Sequence, residues 1–124
     1  SFKIYEDDLF LAFLDINQPS TGEVLVVTKS HFESMFDMPD DLLGNVYGVI
    51  KKLSVDISEK LNASSIQLIQ NNGKIQEVKH FHVHIVPHYD EEINLTLDEV
   101  FDKRVLKYSS FVFIKSIAFR VSFD

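Results

Sequence analysis

The sequence predicts an α+β fold, a mostly antiparallel five-stranded sheet with one long helix packed on it. Short apolar or alternating segments separated by turn residues are typical of strands. One longer segment, 39–62, carries apolar residues at helical spacing. A chain of 124 residues, 45% of them hydrophobic, is also long enough to bury one core.

The first half of the chain predicts three strands, over 3–6, 9–15 and 24–28. An acidic turn joins the first two, and the loop 17–22 is rich in turn-forming residues. The third segment is almost wholly apolar and β-branched, which is typical of a central strand. A short helix or turn is predicted over 29–36.

The long helix is predicted to begin with Pro39 at its first helical position, followed by two acidic residues that suit a first turn. Asn62 is predicted to end it. Apolar residues recur on one face, and charged residues fill the other. The apolar series is Leu42, Leu43, Val46, Val49, Ile50, Leu53, Ile57 and Leu61.

The second half predicts strands over 66–69 and 77–86, joined through a tight polar turn at 71–74, and a short helix over 95–106. We expect a single domain over 1–108.

Residues 109–124 form an apolar tail of unassigned role, which could extend a sheet edge, serve an interface or be non-native sequence. The start in a strand-like segment at Phe2 suggests that a preceding piece is missing.

Composition excludes several classes of partner. The formal net charge of −7 argues against a nucleic acid polymer, because such binding needs clustered lysine and arginine. The absence of cysteine excludes disulfides and thiolate metal sites. No apolar run is long enough to span a bilayer and no signal peptide is visible, so no membrane partner and a cytoplasmic location are expected.

The segment 80–88 holds four of the five histidines. His80, His82 and His84 alternate with good strand formers, and residues two apart on a strand point to the same face. A row of imidazoles is therefore predicted, and burying such a row is costly unless it binds something or does chemistry. The alternating apolar residues are Phe81, Val83 and Ile85.

Three interpretations of this row are open. His-x-His on a strand can supply two ligands to zinc or copper, with a further ligand from His31, Glu23 or Asp15. A neutral middle ring can instead attack phosphorus, while its neighbours bind phosphate oxygens and protonate the leaving group. The rings could also be structural histidines with satisfied hydrogen bonds.

The residues resemble the histidine triad motif, His-φ-His-φ-His-φ-φ, where φ is apolar; here it is His80-Phe81-His82-Val83-His84-Ile85-Val86. Residues 5–16 and 22–31, with Asn71-Asn72-Gly73 and Gln76 before the triad, are similar to the same family. The resemblance covers about residues 3–89.

The resemblance implies a nucleotide hydrolase or transferase that cleaves nucleoside 5′-phosphoramidates or dinucleoside polyphosphates at the α-phosphate, with adenine as the expected base. His82 would carry the nucleotide covalently, and His80 and His84 would assist. No metal or other cofactor is implied for the chemistry, and a homodimer is expected. Substrate contacts are implied for Asp15 at the ribose, Ile16 at the base, and Asn71 and Gln76 near the phosphate.

Some residues depart from the family pattern. Glu23 stands where many members have histidine, Glu77 where several have a hydroxyl, and His88 where an arginine is common. The loop before Gln76 is also short. Glu77 and the short loop motivate an alternative, a nucleotide-binding or regulatory module with little turnover.

Overall fold

The computed structural model describes residues 2–16, 20–91, 95–96 and 99–100. Three short strands are followed by a 3₁₀ helix and one long helix, and two further strands come after it. In chain order they are β1 (Phe2–Glu6), β2 (Phe10–Leu14), β3 (Val24–Thr28), the 3₁₀ helix (Met35–Asp37), α1 (Asp40–Leu61), β4 (Ser65–Ile69) and β5 (His82–His88).

The five strands form one antiparallel sheet in the order β1-β2-β3-β5-β4. The predicted fold class is thus confirmed, with β3 in the centre, as its β-branched sequence predicts. In the β3–β5 register, Leu25 lies opposite His84 and Val27 lies opposite His82. This register places His84 near the start of β3, beside the end of the loop that leads into it, and His82 near the far end of β3.

Helix α1 packs its apolar face on the sheet. Six of its eight predicted apolar residues are buried, whereas Leu42 and Leu43, in the first turn, are only partly buried. Pro39 is the residue before the helix and has an extended backbone, so the prediction that it occupies the first helical position is wrong by one residue. Asn62 ends the helix in a left-handed conformation, φ 57°, which asparagine tolerates better than most residues.

The histidine strand begins at His82, later than the predicted start at 77. The reason is tertiary, because the backbone before it is held by partners outside the sheet. Phe81 N–H donates to the Phe32 carbonyl at 2.7 Å, and Gln76 binds three backbone groups from its buried side chain.

The predicted helix over 95–106 lies mostly outside the described residues, and the tail 109–124 lies wholly outside them. In the part of the chain that the structure describes, no helix combines the length and apolar character needed to cross a membrane.

Candidate active site

His82 lies at the start of β5 with its ring fixed by a backbone carbonyl. Its Nδ1 is 2.7 Å from the carbonyl oxygen of His80. Because a carbonyl only accepts, Nδ1 carries the proton and Nε2 is left with its lone pair when the ring is neutral. Burial lowers the pKa of His82, opposed by the bond to His80 and by the nearby Asp15 carboxylate. The ring is therefore neutral at pH 7 and presents a nucleophilic nitrogen.

His80 is buried, 3% exposed, and its side chain packs towards β3 and the residues after it. Its Nε2 donates to the Thr28 carbonyl at 2.7 Å, and its Nδ1 lies 3.1 Å from Nδ1 of His31. Burial lowers the pKa of His80, so the ring is neutral and its Nδ1 must accept. His31 is then the donor. This chain of bonds positions the His80 carbonyl, which in turn orients His82.

His84 shares a face with His82, and their ring centroids are 5.2 Å apart. Its partner is a carboxylate: Nδ1 lies 3.0 Å from Oε2 of Glu23, a residue only 2% exposed. The sequence marks Glu23 only as a departure from the family pattern and as one of three possible metal ligands. The structure makes it the residue that holds the third triad ring.

Asp15 and Glu23 are held together by the backbone. The Asp15 N–H donates to the Glu23 carbonyl at 3.0 Å. Asp15 is 9% exposed and Ile16, beside it, is 40% exposed. Asp15, which is expected to bind the ribose, thus lies beside His84, and Ile16, which is expected to contact the base, follows it in the chain.

Asp15, Glu23 and His84 could together hold a metal ion, since their ligand atoms all lie within 4.8 Å of one another. One nitrogen and two carboxylates are a suitable donor set for a divalent cation. A metal on Nδ1 of His84 would replace the hydrogen bond to Glu23.

Gln76 and Asn71, both in the loop before the triad, differ in their exposure to solvent. Gln76 is buried, and its amide accepts from Gly73 N–H at 2.9 Å and donates to the carbonyls of Glu33 and Val78. Asn71 is partly exposed. Gln76 therefore stabilises the backbone of this loop. A contact of either residue with phosphate stays a prediction.

Thr28 and Asn72 were not predicted for the site, and His31 was predicted only as a possible metal ligand. The Thr28 carbonyl accepts a hydrogen bond from the His80 ring, and the His31 ring bonds to the same ring. The Asn72 side chain accepts from Met35 N–H at 2.9 Å and so connects the loop before the triad to the 3₁₀ helix. His31 alone carried a signal, as a histidine after a strand. Hydrogen-bond partners some fifty residues apart in the chain, such as His31 and His80, cannot be paired from local sequence patterns.

The first 91 residues match the model of the HIT domain. An uncharacterized HIT-like protein of Methanocaldococcus jannaschii is 43% identical over 108 residues, which is 78% of this chain and 83% of that protein. A Saccharomyces cerevisiae protein named adenosine 5′-monophosphoramidase is 36% identical over 97 residues, 77% of this chain and 59% of its own.

A solved structure from Sulfolobus tokodaii, named a hypothetical histidine triad nucleotide-binding protein, superimposes with a TM-score of 0.70 at 34% identity. The match covers 73% of this chain and 62% of that one. The chain therefore spans less than two thirds of the yeast protein and of this structure.

Proposed function

Because the chain belongs to the HIT family, we propose that it is a nucleotide hydrolase that cleaves nucleoside 5′-phosphoramidates or dinucleoside polyphosphates at the α-phosphate. The reaction would pass through a nucleotide covalently bound to His82 and release a nucleoside monophosphate. The yeast relative's name, adenosine 5′-monophosphoramidase, supports the phosphoramidate class and adenine as the base.

The observation that carries the proposal is the hydrogen bond from His82 Nδ1 to the His80 carbonyl. It directs the lone pair of Nε2 away from the backbone, and burial keeps the ring neutral by lowering its pKa. An imidazole in this state can form a bond to phosphorus, which splits one difficult displacement into two easier ones.

The other predicted residues take roles that follow from their positions. His80 acts through its carbonyl, which orients the nucleophile. His84 lies beside His82 and can donate a hydrogen bond to a phosphate oxygen or to the leaving group. Asp15 binds the ribose hydroxyls through its carboxylate.

Three further residues complete the proposed substrate site. Ile16, which is 40% exposed, lies against the base, while Asn71 and Gln76 border the phosphate. Glu77 is exposed, which gives its carboxylate access to water and lowers its repulsion of a bound phosphate.

The test is intact-protein mass spectrometry after brief mixing with adenosine 5′-phosphoramidate, with released AMP measured in parallel. We expect an AMP-sized adduct on His82 and free AMP. A His82→Asn variant should lose at least about 1,000-fold in turnover, because the ring that would carry the nucleotide is removed. The matched control, His88→Asn, changes an exposed histidine and should keep full activity. Full activity in His82→Asn would contradict the covalent route.

A second candidate function, a metal-dependent reaction, is favoured by the group of Asp15, Glu23 and His84. The same assay with and without EDTA separates the two. AMP release that a chelator leaves unchanged supports the metal-free route, and release that is lost with EDTA and restored by zinc supports the metal site. Tight AMP binding without turnover of any conjugate would instead favour a binding module.

We also propose that the protein is a homodimer acting in the cytoplasm. Strand β4 lies at an edge of the sheet, and its Leu68 and Ile69 are 43% and 37% exposed. An exposed apolar edge strand is a ready surface for pairing with a second copy.

A further inference from the structure

His84 lies between two apolar residues on the face of the sheet opposite to the one that packs on α1. Leu25 of β3 is paired with it on one side, and Ile69 of β4 is paired with it on the other. Residues directly opposite each other on antiparallel strands share a face, with Cβ atoms about 4.5–5.5 Å apart. Leu25 is buried, whereas Ile69 is 37% exposed. The side of His84 that is open to solvent is therefore the β4 side, and an isoleucine borders it.

The carboxylate proposed to bind the ribose lies on the other side of His84. Asp15 follows β2, which pairs with β3 on the side away from β5, and its carboxylate lies within 4.8 Å of a ring nitrogen of His84. A nucleoside bound by Asp15 therefore occupies the β3 side. In a displacement at phosphorus the attacking and leaving atoms are roughly in line, so the leaving group points away from His82. The β4 side is the side left for it.

Strand β4 presents only uncharged side chains to the face that carries His84. By the register of β4 on β5 these are Ser65, Gln67 and Ile69, which pair with His88, Val86 and His84. Phosphate groups are most often bound in proteins by arginine or lysine, because both supply positive charge and several donors. A polyphosphate leaving group would find neither on this strand. An apolar amine would instead cover the exposed surface of Ile69.

We propose that Ile69 is a specificity-determining residue that contacts the leaving group, and that the chain is adapted to nucleotide phosphoramidates of apolar amines. The inference rests on the proposed function and narrows its substrate class. A single exposed apolar residue is common on protein surfaces and by itself indicates nothing. Ile69 differs because the strand register aligns it with His84, on the side of that ring away from Asp15.

The neighbouring residue, Leu68, provides a matched control. It lies on the same edge strand and is 43% exposed, but it is paired with Ile85, whose side chain belongs to the core on α1. Successive residues of a strand point to opposite faces, so Leu68 and Ile69 differ in face and agree in apolar character and exposure. Pairing with a second copy through β4 would involve both residues. Contact with the leaving group would involve Ile69 alone.

The experiment measures kcat/KM on two substrates, adenosine 5′-phosphoramidate and its N-benzyl derivative. Both break the same type of bond, and only the second has a leaving group large enough to extend along β4. The ratio of the two values cancels any loss of folded protein or of catalytic power that affects both. We expect the wild-type chain to prefer the N-benzyl substrate. In Ile69→Ala the ratio should fall about 10-fold, the lower end of what apolar contacts contribute to discrimination, because Ile69 is partly exposed.

Two further variants separate leaving-group contact from a structural role. Leu68→Ala removes a similarly exposed apolar side chain from the same edge and should keep the wild-type ratio. Ile69→Val keeps a branched apolar side chain beside His84 and should keep most of the preference. If the ratio fell equally in Ile69→Ala and Leu68→Ala, the edge of the sheet would be responsible, and the inference would be wrong.

The remaining outcomes distinguish this inference from the proposed function. AMP release with an unchanged ratio in Ile69→Ala would overturn the role of Ile69 and leave the hydrolase intact. Faster wild-type hydrolysis of diadenosine triphosphate than of the N-benzyl substrate would overturn the substrate class. A wild-type chain that releases AMP from none of the three compounds would contradict the proposed function itself, and this inference with it.

Discussion

At the residue scale, four histidine side chains differ in their hydrogen-bond partners. His82 bonds to a carbonyl, His84 to a carboxylate, and His80 to a carbonyl and to His31. His88 lies exposed and bonds to Gln67 at 2.8 Å. The hydrogen-bond partner of each ring, more than its position in the motif, thus distinguishes the four histidines.

The buried ring of His80 also predicts a pH dependence of stability. Burial lowers its folded-state pKa below the ordinary 6.5, so the unfolded chain binds a proton first as the pH falls. This contribution to stability is complete above about pH 6.5 and is lost below it, by at most about 1.4 kcal/mol per pH unit. Urea unfolding at pH 7.5 and 5.5 measures the loss.

Two variants assign that pH dependence. In His80→Gln the group cannot titrate, so the difference between the two pH values should shrink even if the variant is less stable at both. His88→Gln removes an exposed histidine and should leave the difference unchanged. An unaltered difference in His80→Gln would show that other groups cause it.

At the element scale, Gly22 lies just before β3 and beside the end of α1. Its φ of 84° is a left-handed conformation that side chains rarely adopt, and a Cβ there would overlap Leu61 at the end of α1. Position 22 therefore has no room for a side chain beside Leu61. That close approach sets the position of Glu23 and, through it, of His84.

The variant Gly22→Ala should lower the free energy of unfolding by about 1–3 kcal/mol, through backbone strain and overpacking against Leu61. It should also reduce turnover by displacing Glu23. The control Gly44→Ala lies on the exposed side of α1 with nothing within 4 Å, and should raise stability by up to about 1 kcal/mol. Thermal melts and AMP release of both variants test this, and unchanged stability in Gly22→Ala would contradict it.

At the scale of the whole molecule, the strand order leaves β4 as one edge of the sheet, next to the histidine strand. A second copy pairing there would be separated from the histidine strand β5 by β4 alone. Assembly would cover the exposed apolar residues of β4.

Light scattering after gel filtration should show a dimer for the wild-type chain. Leu68→Lys should give a monomer, because a charge at an apolar edge opposes pairing. The control Leu9→Lys replaces a leucine of similar exposure, 46%, in the turn between β1 and β2. These strands lie at the opposite edge of the sheet from β4, so this variant should stay dimeric. A monomeric wild type would rule out the dimer.

The sequence by itself determined the elements and the motif. Short apolar or alternating segments mark the strands, apolar spacing of three to four residues marks α1, and the triad follows from His80, His82 and His84 in one short segment. Each of these signals is local, because side-chain direction repeats along a strand or helix. The long helix and the central strand were accordingly predicted closely, within a residue or two.

Only the tertiary structure decided how the triad is supported. Glu23 is 61 residues from His84 and His31 is 49 from His80, and neither pairing follows from local spacing. The later start of β5 has the same cause, since Phe32 and Gln76 hold the backbone before it. Strand order and register bring these groups together, and the free energy of burying polar groups then requires that each be satisfied by whichever partner the fold supplies.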